Sequence, residues 1–199
     1  MSLESETFIL ETGRLVIRSF AYDDFDALHT IRGEAFGEEP LERDREWFDW
    51  SIRNYTALAR LYQPPYGDRA IVLKASQEIV GMVGLVPSLG PFGTLPFFRA
   101  RATGPASSLV TTEMGLFWAL GTRYRQQGYA TEAAQALVTY AFETLSMERL
   151  IATTEFDNRA SMAVMQRLGM TIERNPHPTP EWFQVVGILE HPALRTSAG

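Results

Sequence analysis

An extended apolar run, Leu109 to Ala119, passes through a short basic and glutamine-rich turn into a strongly helical repeat. The turn and helix start read Tyr124-Arg125-Gln126-Gln127-Gly128-Tyr129-Ala130-Thr131-Glu132. Beyond them Ala133, Ala134, Leu137, Tyr140, Ala141 and Leu145 continue the face begun by Ala130, which predicts a helix over 129–145. A strand that turns through glycine into a helix gathers unpartnered backbone N–H groups and the positive end of the helix dipole at one spot. Gly128 lets the chain turn tightly and lets a ligand approach the backbone, and Arg125 adds a full charge. Such a spot suits a pyrophosphate. The segment is neither a GxxxxGK[ST] loop nor a GxGxxG fingerprint. As a lone motif it reads equally as a plain strand-to-helix turn with a solvated arginine.

The rest of the chain alternates in the same way. Residues 8–18 predict a strand and 21–31 a helix with Asp23 and Asp24 at its start. Trp47, Trp50, Leu58 and Leu61 are spaced for helices within 34–62. Arg69–Ala75 and Ile79–Val86, joined by Ser76-Gln77-Glu78, predict a β-hairpin. Residues 87–108 read as a long loop carrying Phe92, Phe97 and Phe98, a candidate lid or dimer contact. Strands are expected over 149–156, 170–174 and 183–190, and a helix over 158–168 with Asn158 as its N-cap and Gly169 past its end. No linker or repeat divides the 199 residues, so a single domain over 1–199 is expected. The fold class is α/β (α+β): a mixed, mostly antiparallel sheet with helices on both faces.

Composition narrows the function. Hydrophobic residues make up 45%, enough for a sizeable core, and the net charge is -6, which disfavours a nucleic-acid partner. The chain has no cysteine, which removes disulfides, thiolate metal sites and a cysteine nucleophile. His29, His177 and His191 are scattered without metal spacing, and no GxSxG elbow is present. The acidic, polar first residues are unlike a secretory signal, and no apolar run is long enough for a membrane span. A cytoplasmic protein without membrane or metal is the expectation.

Arg125-Gln126-Gln127-Gly128-Tyr129-Ala130 resembles the R/Q-x-x-G-x-G/A coenzyme-A motif of the GNAT superfamily of N-acetyltransferases. Glu11-Thr12-Gly13-Arg14-Leu15-Val16-Ile17-Arg18 is similar to the opening strand of the branch containing the ribosomal-protein N-terminal acetyltransferases. Glu113-Met114-Gly115-Leu116-Phe117-Trp118 is similar to that branch's central strand. Asp157-Asn158-Arg159-Ala160-Ser161 with Arg167-Leu168-Gly169-Met170 is similar to its ending. The matches fall in family order; residues 34–66 and 87–108 have none.

The resemblance implies a splay between the two middle strands, 109–119 and 149–156, that holds acetyl-coenzyme A as co-substrate. It assigns Arg125, Gln126, Gln127, Gly128, Tyr129, Ala130 and Thr131 to the pyrophosphate, and the main chain near Trp118 and Leu120 to the pantetheine arm. Asn158 and Ser161 would contact the cofactor arm. The implied reaction is direct attack of an amine on the thioester in a ternary complex. The acceptor is a protein N-terminal α-amine or a small-molecule amine, and a homodimer is compatible with the chain.

Neutralising a lysine-like amine of pKa about 10.4 at pH 7 costs roughly 4–5 kcal/mol, so a base matters. Glu113 is the candidate, with desolvation expected to raise its basicity; a carboxylate that orients the acceptor or pairs with an arginine is the alternative. Many relatives carry a tyrosine in the last helix to protonate the thiolate. Met165 stands there in this chain, which leaves Ser161, a water or no acid at all, and motivates a competing reading as a coenzyme-binding module without chemistry.

Overall fold

The computed structural model describes residues 8–105, 107–177 and 179–195. The polar segment 1–7 lies outside them, as does Pro178 in the proline-rich turn. In chain order the elements are β1 (Ile9–Glu11), β2 (Leu15–Arg18), α1 (Phe25–Phe36), α2 (Leu41–Arg60), β3 (Gly67–Leu73), β4 (Ile79–Gly90) and α3 (Pro96–Arg99). There follow β5 (Thr111–Leu120), α4 (Tyr129–Thr139), β6 (Arg149–Thr154), α5 (Arg159–Arg167), β7 (Thr171–Arg174), β8 (Val185–Glu190) and α6 (Pro192–Arg195). The strands form an eight-stranded sheet in the order β1-β2-β3-β4-β5-β6-β8-β7. The pairs β1/β2, β2/β3, β3/β4, β6/β8 and β7/β8 are antiparallel, and β5/β6 is parallel through Gly115↔Ile151. The expected mixed, mostly antiparallel α/β sheet is therefore present. No helix among the described residues is long and apolar enough to cross a membrane.

The chain divides into two compact units, one of residues 1–86 and 117–140, the other of 87–116 and 141–199. In the first, the predicted single strand over 8–18 is a hairpin. The Thr12 N–H and hydroxyl both reach Leu15, closing a turn at Thr12-Gly13-Arg14, where Gly13 interrupts the strand-forming run. The predicted β3–β4 hairpin is found, with Gln77 turning at φ 60° and its N–H bonded to the Leu73 carbonyl. α1 runs five residues past the predicted end at Ile31, to Phe36, after a 3-10 turn over Tyr22–Asp24. α2 is one helix of 20 residues with Glu42 and Asp44 in its first turn and Arg60 in its last, the order the dipole favours. Phe20, Phe25, Leu28, Ile31 and Phe48 pack on Ala70, Val72, Met82 and Ala119 as this unit's core. Trp47 and Tyr55 pack against that core, whereas Trp50 is 60% exposed.

In the second unit the first part of the predicted 87–108 loop, to Arg99, is regular structure. β4 continues to Gly90, a 3-10 turn spans Phe92–Thr94, and α3 follows. Phe92 is 0% exposed and packs with Leu95, Phe97, Ile151, Phe183, Val186 and Ile188, so Phe92 and Phe97 are core side chains and not the face of a lid or a dimer contact. Several short apolar side chains would each bury too little; three phenylalanines in one short segment supply the missing core volume. α4 ends at Thr139 and gives way to a π turn over Tyr140–Thr144, where one continuous helix to 145 was predicted.

Candidate functional site

β5 ends at Leu120, a 3-10 turn covers Thr122–Tyr124, and Gln126 and Gly128 both take left-handed backbone at φ 62° and 83°. Gly128 is the N-cap of α4 and has no side chain with which to satisfy the helix's first donors. Among the described residues, the backbone N–H groups of Gln126 through Thr131 meet no protein acceptor. An anionic ligand with several oxygens fits donors arranged this way. Gln126 pays the left-handed strain without being glycine, the kind of cost that functional loops carry.

Arg14 braces this loop from the β1–β2 turn. Its Nε donates to Glu132 Oε2 at 2.7 Å, Nη2 lies 2.6 Å from the same oxygen, and Nη1 donates to the Gln127 carbonyl at 3.0 Å. Its guanidinium also lies 4.5 Å over the Tyr129 ring. Glu132 Oε1 accepts from the Thr12 hydroxyl at 2.6 Å and the Arg14 N–H at 2.9 Å. Burial pushes the Glu132 carboxyl up, but these hydrogen bonds and the Arg14 charge together hold it below its ordinary value. Neither Arg14 nor Glu132 was singled out from the sequence. Their opposite charges are more than a hundred residues apart, and no local periodicity links them.

Arg125 is exposed, but its guanidinium is held by two main-chain carbonyls. Nε donates to the Leu120 carbonyl at 3.3 Å and Nη2 to the Glu34 carbonyl at 3.1 Å. The Glu34 carboxylate in turn accepts the Thr122 N–H, which, with the charges of Arg125 and Arg123, holds it below its ordinary value. Arg125 therefore ties the C-terminal turn of α1 to the end of β5 and shapes the loop. The Leu120 carbonyl, part of the main chain expected near a pantetheine arm, accepts this bond. Trp118 is half-buried two residues before Leu120, on the same strand.

The other predicted residues lie in the second unit. Glu113 was expected in an apolar surround that raises its basicity. It instead meets Arg149 in a two-pronged pair, Nε to Oε2 at 3.0 Å and Nη2 to Oε1 at 2.9 Å, the arginine-paired alternative. Burial works against the Arg149 charge, but the bonds to Glu113 and nearby Glu148 and Glu190 outweigh it and raise the guanidinium's pKa. Asn158 caps α5 as predicted, its Oδ1 accepting the Ser161 N–H at 3.1 Å. Gly169 ends that segment at φ 75°. Met165 is 0% exposed, and its sulfur lies 3.0 Å from where a Cβ on Gly187 would sit, so it is a packed core side chain. Among the described residues no group of histidine, aspartate or glutamate could hold a metal ion.

A family description, "Acetyltransferase (GNAT) domain", matches residues 14–171. The chain belongs to the GNAT acetyltransferase family. YjdG of Bacillus subtilis, called an N-acetyltransferase, is 25% identical over 183 residues, covering 89% of this GNAT chain and 98% of its own. A second B. subtilis N-acetyltransferase, YnaD, is 41% identical over 63 residues only, so the chain spans 36% of that relative's length. An acetyltransferase structure from Agrobacterium tumefaciens superimposes with a TM-score of 0.66 at 27% identity, covering 92% of this chain and 94% of that one. The ribosomal L7/L12 α-N-protein acetyltransferase RimL, determined with coenzyme A, shares the fold at TM-score 0.59 and 16% identity, covering 91% and 96%.

Proposed function

We propose that this GNAT chain transfers an acetyl group from acetyl-coenzyme A to an amine. The observation that carries the reading is the row of unpartnered N–H groups from Gln126 to Thr131 at the start of α4, in the segment whose sequence resembles the family's coenzyme-A motif. In this reading those groups take the pyrophosphate oxygens. Gly128, Tyr129, Ala130 and Thr131 offer the helix dipole's positive end, Gln126 turns left-handed ahead of them, and Gln127 adds its N–H between the two left-handed residues. Arg125 contributes by fixing the loop through Leu120 and Glu34. The main chain near Trp118 and Leu120 is assigned to the pantetheine arm by the resemblance. So are Asn158, whose side-chain amide is left over from capping, and the Ser161 hydroxyl.

The amine attacks the thioester directly in a ternary complex. Glu113, held by Arg149, suits orientation better than proton removal, because both of its carboxylate oxygens are already engaged by the guanidinium. With Met165 packed against Gly187, no side chain at that position protonates the thiolate, which leaves readily without help at neutral pH. The acceptor is a small-molecule amine or a protein N-terminus.

Calorimetric titration with acetyl-coenzyme A tests the reading, with Gly128→Asp as the control that places a carboxylate at the N-cap. Saturable binding that the variant loses is the expected result. No binding by the wild-type chain would refute it. Binding without turnover of any peptide or small amine would favour the coenzyme-binding module.

A further inference from the structure

Residues 68, 70 and 72 of β3 alternate onto one face of the strand. Ala70 and Val72 enter the apolar core beneath α1 and α2, so the same periodicity delivers the Asp68 side chain to the edge of that core. Burying a carboxylate is costly unless something answers it. Here the neighbouring donors turn elsewhere, and the buried Arg69 Nε has no partner among the described residues. Arg32 on α1 donates to Asp44 at 2.6 Å and lies 3.6 Å over the Trp47 ring. Arg69 on β3 donates to the carbonyls of Asp68 and Pro65 and is held between the Phe8 and Tyr55 rings. Tyr55 on α2 gives its hydroxyl proton to the Asp68 main-chain oxygen, and Arg18 on β2 pairs with Asp24. Among the described residues no donor reaches the Asp68 carboxylate. Only the fields of Arg32 and Arg69 act on it.

Opposite Asp68 the sheet has no side chain. Its register partner on β4 is Gly84, and a Cβ there would fall 2.4 Å from the Phe117 ring. Directly opposed positions on paired strands hold their Cβ atoms about 5 Å apart. The carboxylate of Asp68 and the ring of Phe117, which precedes Trp118 on β5, are thus neighbours across a bare glycine. A carboxylate beside an aromatic ring is a pair that an ammonium group binds well.

We propose that Asp68 receives the acceptor's ammonium group and removes its proton. This rests on the acetyl-transfer reading and names the base that Glu113, locked to Arg149, does not supply. One N–H proton of the ammonium passes to a carboxylate oxygen of Asp68. The freed nitrogen lone pair forms the new N–C bond at the thioester carbonyl, the C–S bond breaks, and the second nitrogen proton ends on the departing sulfur. Asp68 then returns its proton to solvent. Burial sets the Asp68 carboxyl at about 6, against the pull of Arg32 and Arg69, which makes it a better proton acceptor than an ordinary aspartate.

The test is the pH dependence of kcat/KM for the wild type, Asp68→Asn, Asp68→Glu and Glu113→Gln, with an amine found by screening and acetyl-coenzyme A binding measured on each. The wild type is expected to lose activity below an apparent pKa near 6. Asp68→Asn is expected to lower kcat/KM by about a hundredfold and abolish that limb, while coenzyme binding stays within twofold, roughly the range of an undisturbed cradle. Asp68→Glu restores a limb, and Glu113→Gln keeps it. An unchanged limb in Asp68→Asn, or its loss in Glu113→Gln alone, would overturn the proposal while leaving acetyl transfer standing. A wild-type protein that acetylates no amine would overturn both.

Discussion

Arg14 and Glu132 stand 118 residues apart in the chain, yet the guanidinium meets one carboxylate oxygen from two nitrogens, at 2.7 and 2.6 Å. The same arginine holds the carbonyl of Gln127, inside the loop whose N–H groups are unpartnered. The bridge therefore joins the β1–β2 turn to the cradle and sets the cradle's shape from outside.

Arg14→Ala is expected to act on the coenzyme more than on the fold. Its side chain is half exposed, so the ion pair itself contributes about 0.5–1 kcal/mol at most. The loop loses its brace at Gln127, and acetyl-coenzyme A affinity should fall about fivefold or more, which 1 kcal/mol or so would give. Calorimetry beside a thermal melt separates the two effects. A melting temperature that drops sharply with affinity intact would refute the bracing role.

Gly128→Ala tests the left-handed cap. A side chain at φ 83° is strained by roughly 1–2 kcal/mol, and a Cβ would come 3.3 Å from Arg14 Nη2. Lower stability and weaker coenzyme binding are expected together. Gly169→Ala carries similar strain at φ 75° with no atom within 4 Å, so it should cost stability alone.

Acid should weaken the Thr12–Arg14–Glu132 bridge. The Glu132 carboxyl is depressed from 4.5 in the folded chain, so its stabilisation is present above that value and is lost as pH falls through the lower folded value. Thermal melts from pH 7 to pH 3 should show a steeper acid fall for the wild type than for Glu132→Gln. Parallel curves would mean that the bridge contributes nothing.

Much of this arrangement was legible locally. The strands around Ser76-Gln77-Glu78, the helix after Gly128 and the Asn158 cap each carry their own periodicity or turn chemistry. What was not legible depended on distant partners. Whether Glu113 stands alone in an apolar surround or pairs with an arginine depends on Arg149, on another strand, and the Phe92–Phe97 segment reads as a loop because its core lies on β6 and β8. Asp68 follows Pro64-Pro65-Tyr66-Gly67 and reads in the sequence as part of that turn, since a lone aspartate at a strand's start is ordinarily a turn residue.

Asp68→Asn should stabilise the protein at neutral pH even as it removes activity. The folded carboxyl at about 6 lies above its ordinary 3.8, so the folded state binds a proton that the unfolded chain has released. Its contribution is fully present below the unfolded value and is lost as pH rises through about 6. At pH 7 the charged carboxylate therefore works against the fold by roughly 1–3 kcal/mol, following the size of the shift. The asparagine carries no charge, so its melting temperature should exceed the wild type's at pH 7 and converge with it near pH 4. A lower melting temperature at pH 7 would mean that the carboxylate has a structural partner and is not held ready for a ligand. A site kept at such a cost is what the trade-off between stability and activity predicts for a residue that handles a proton.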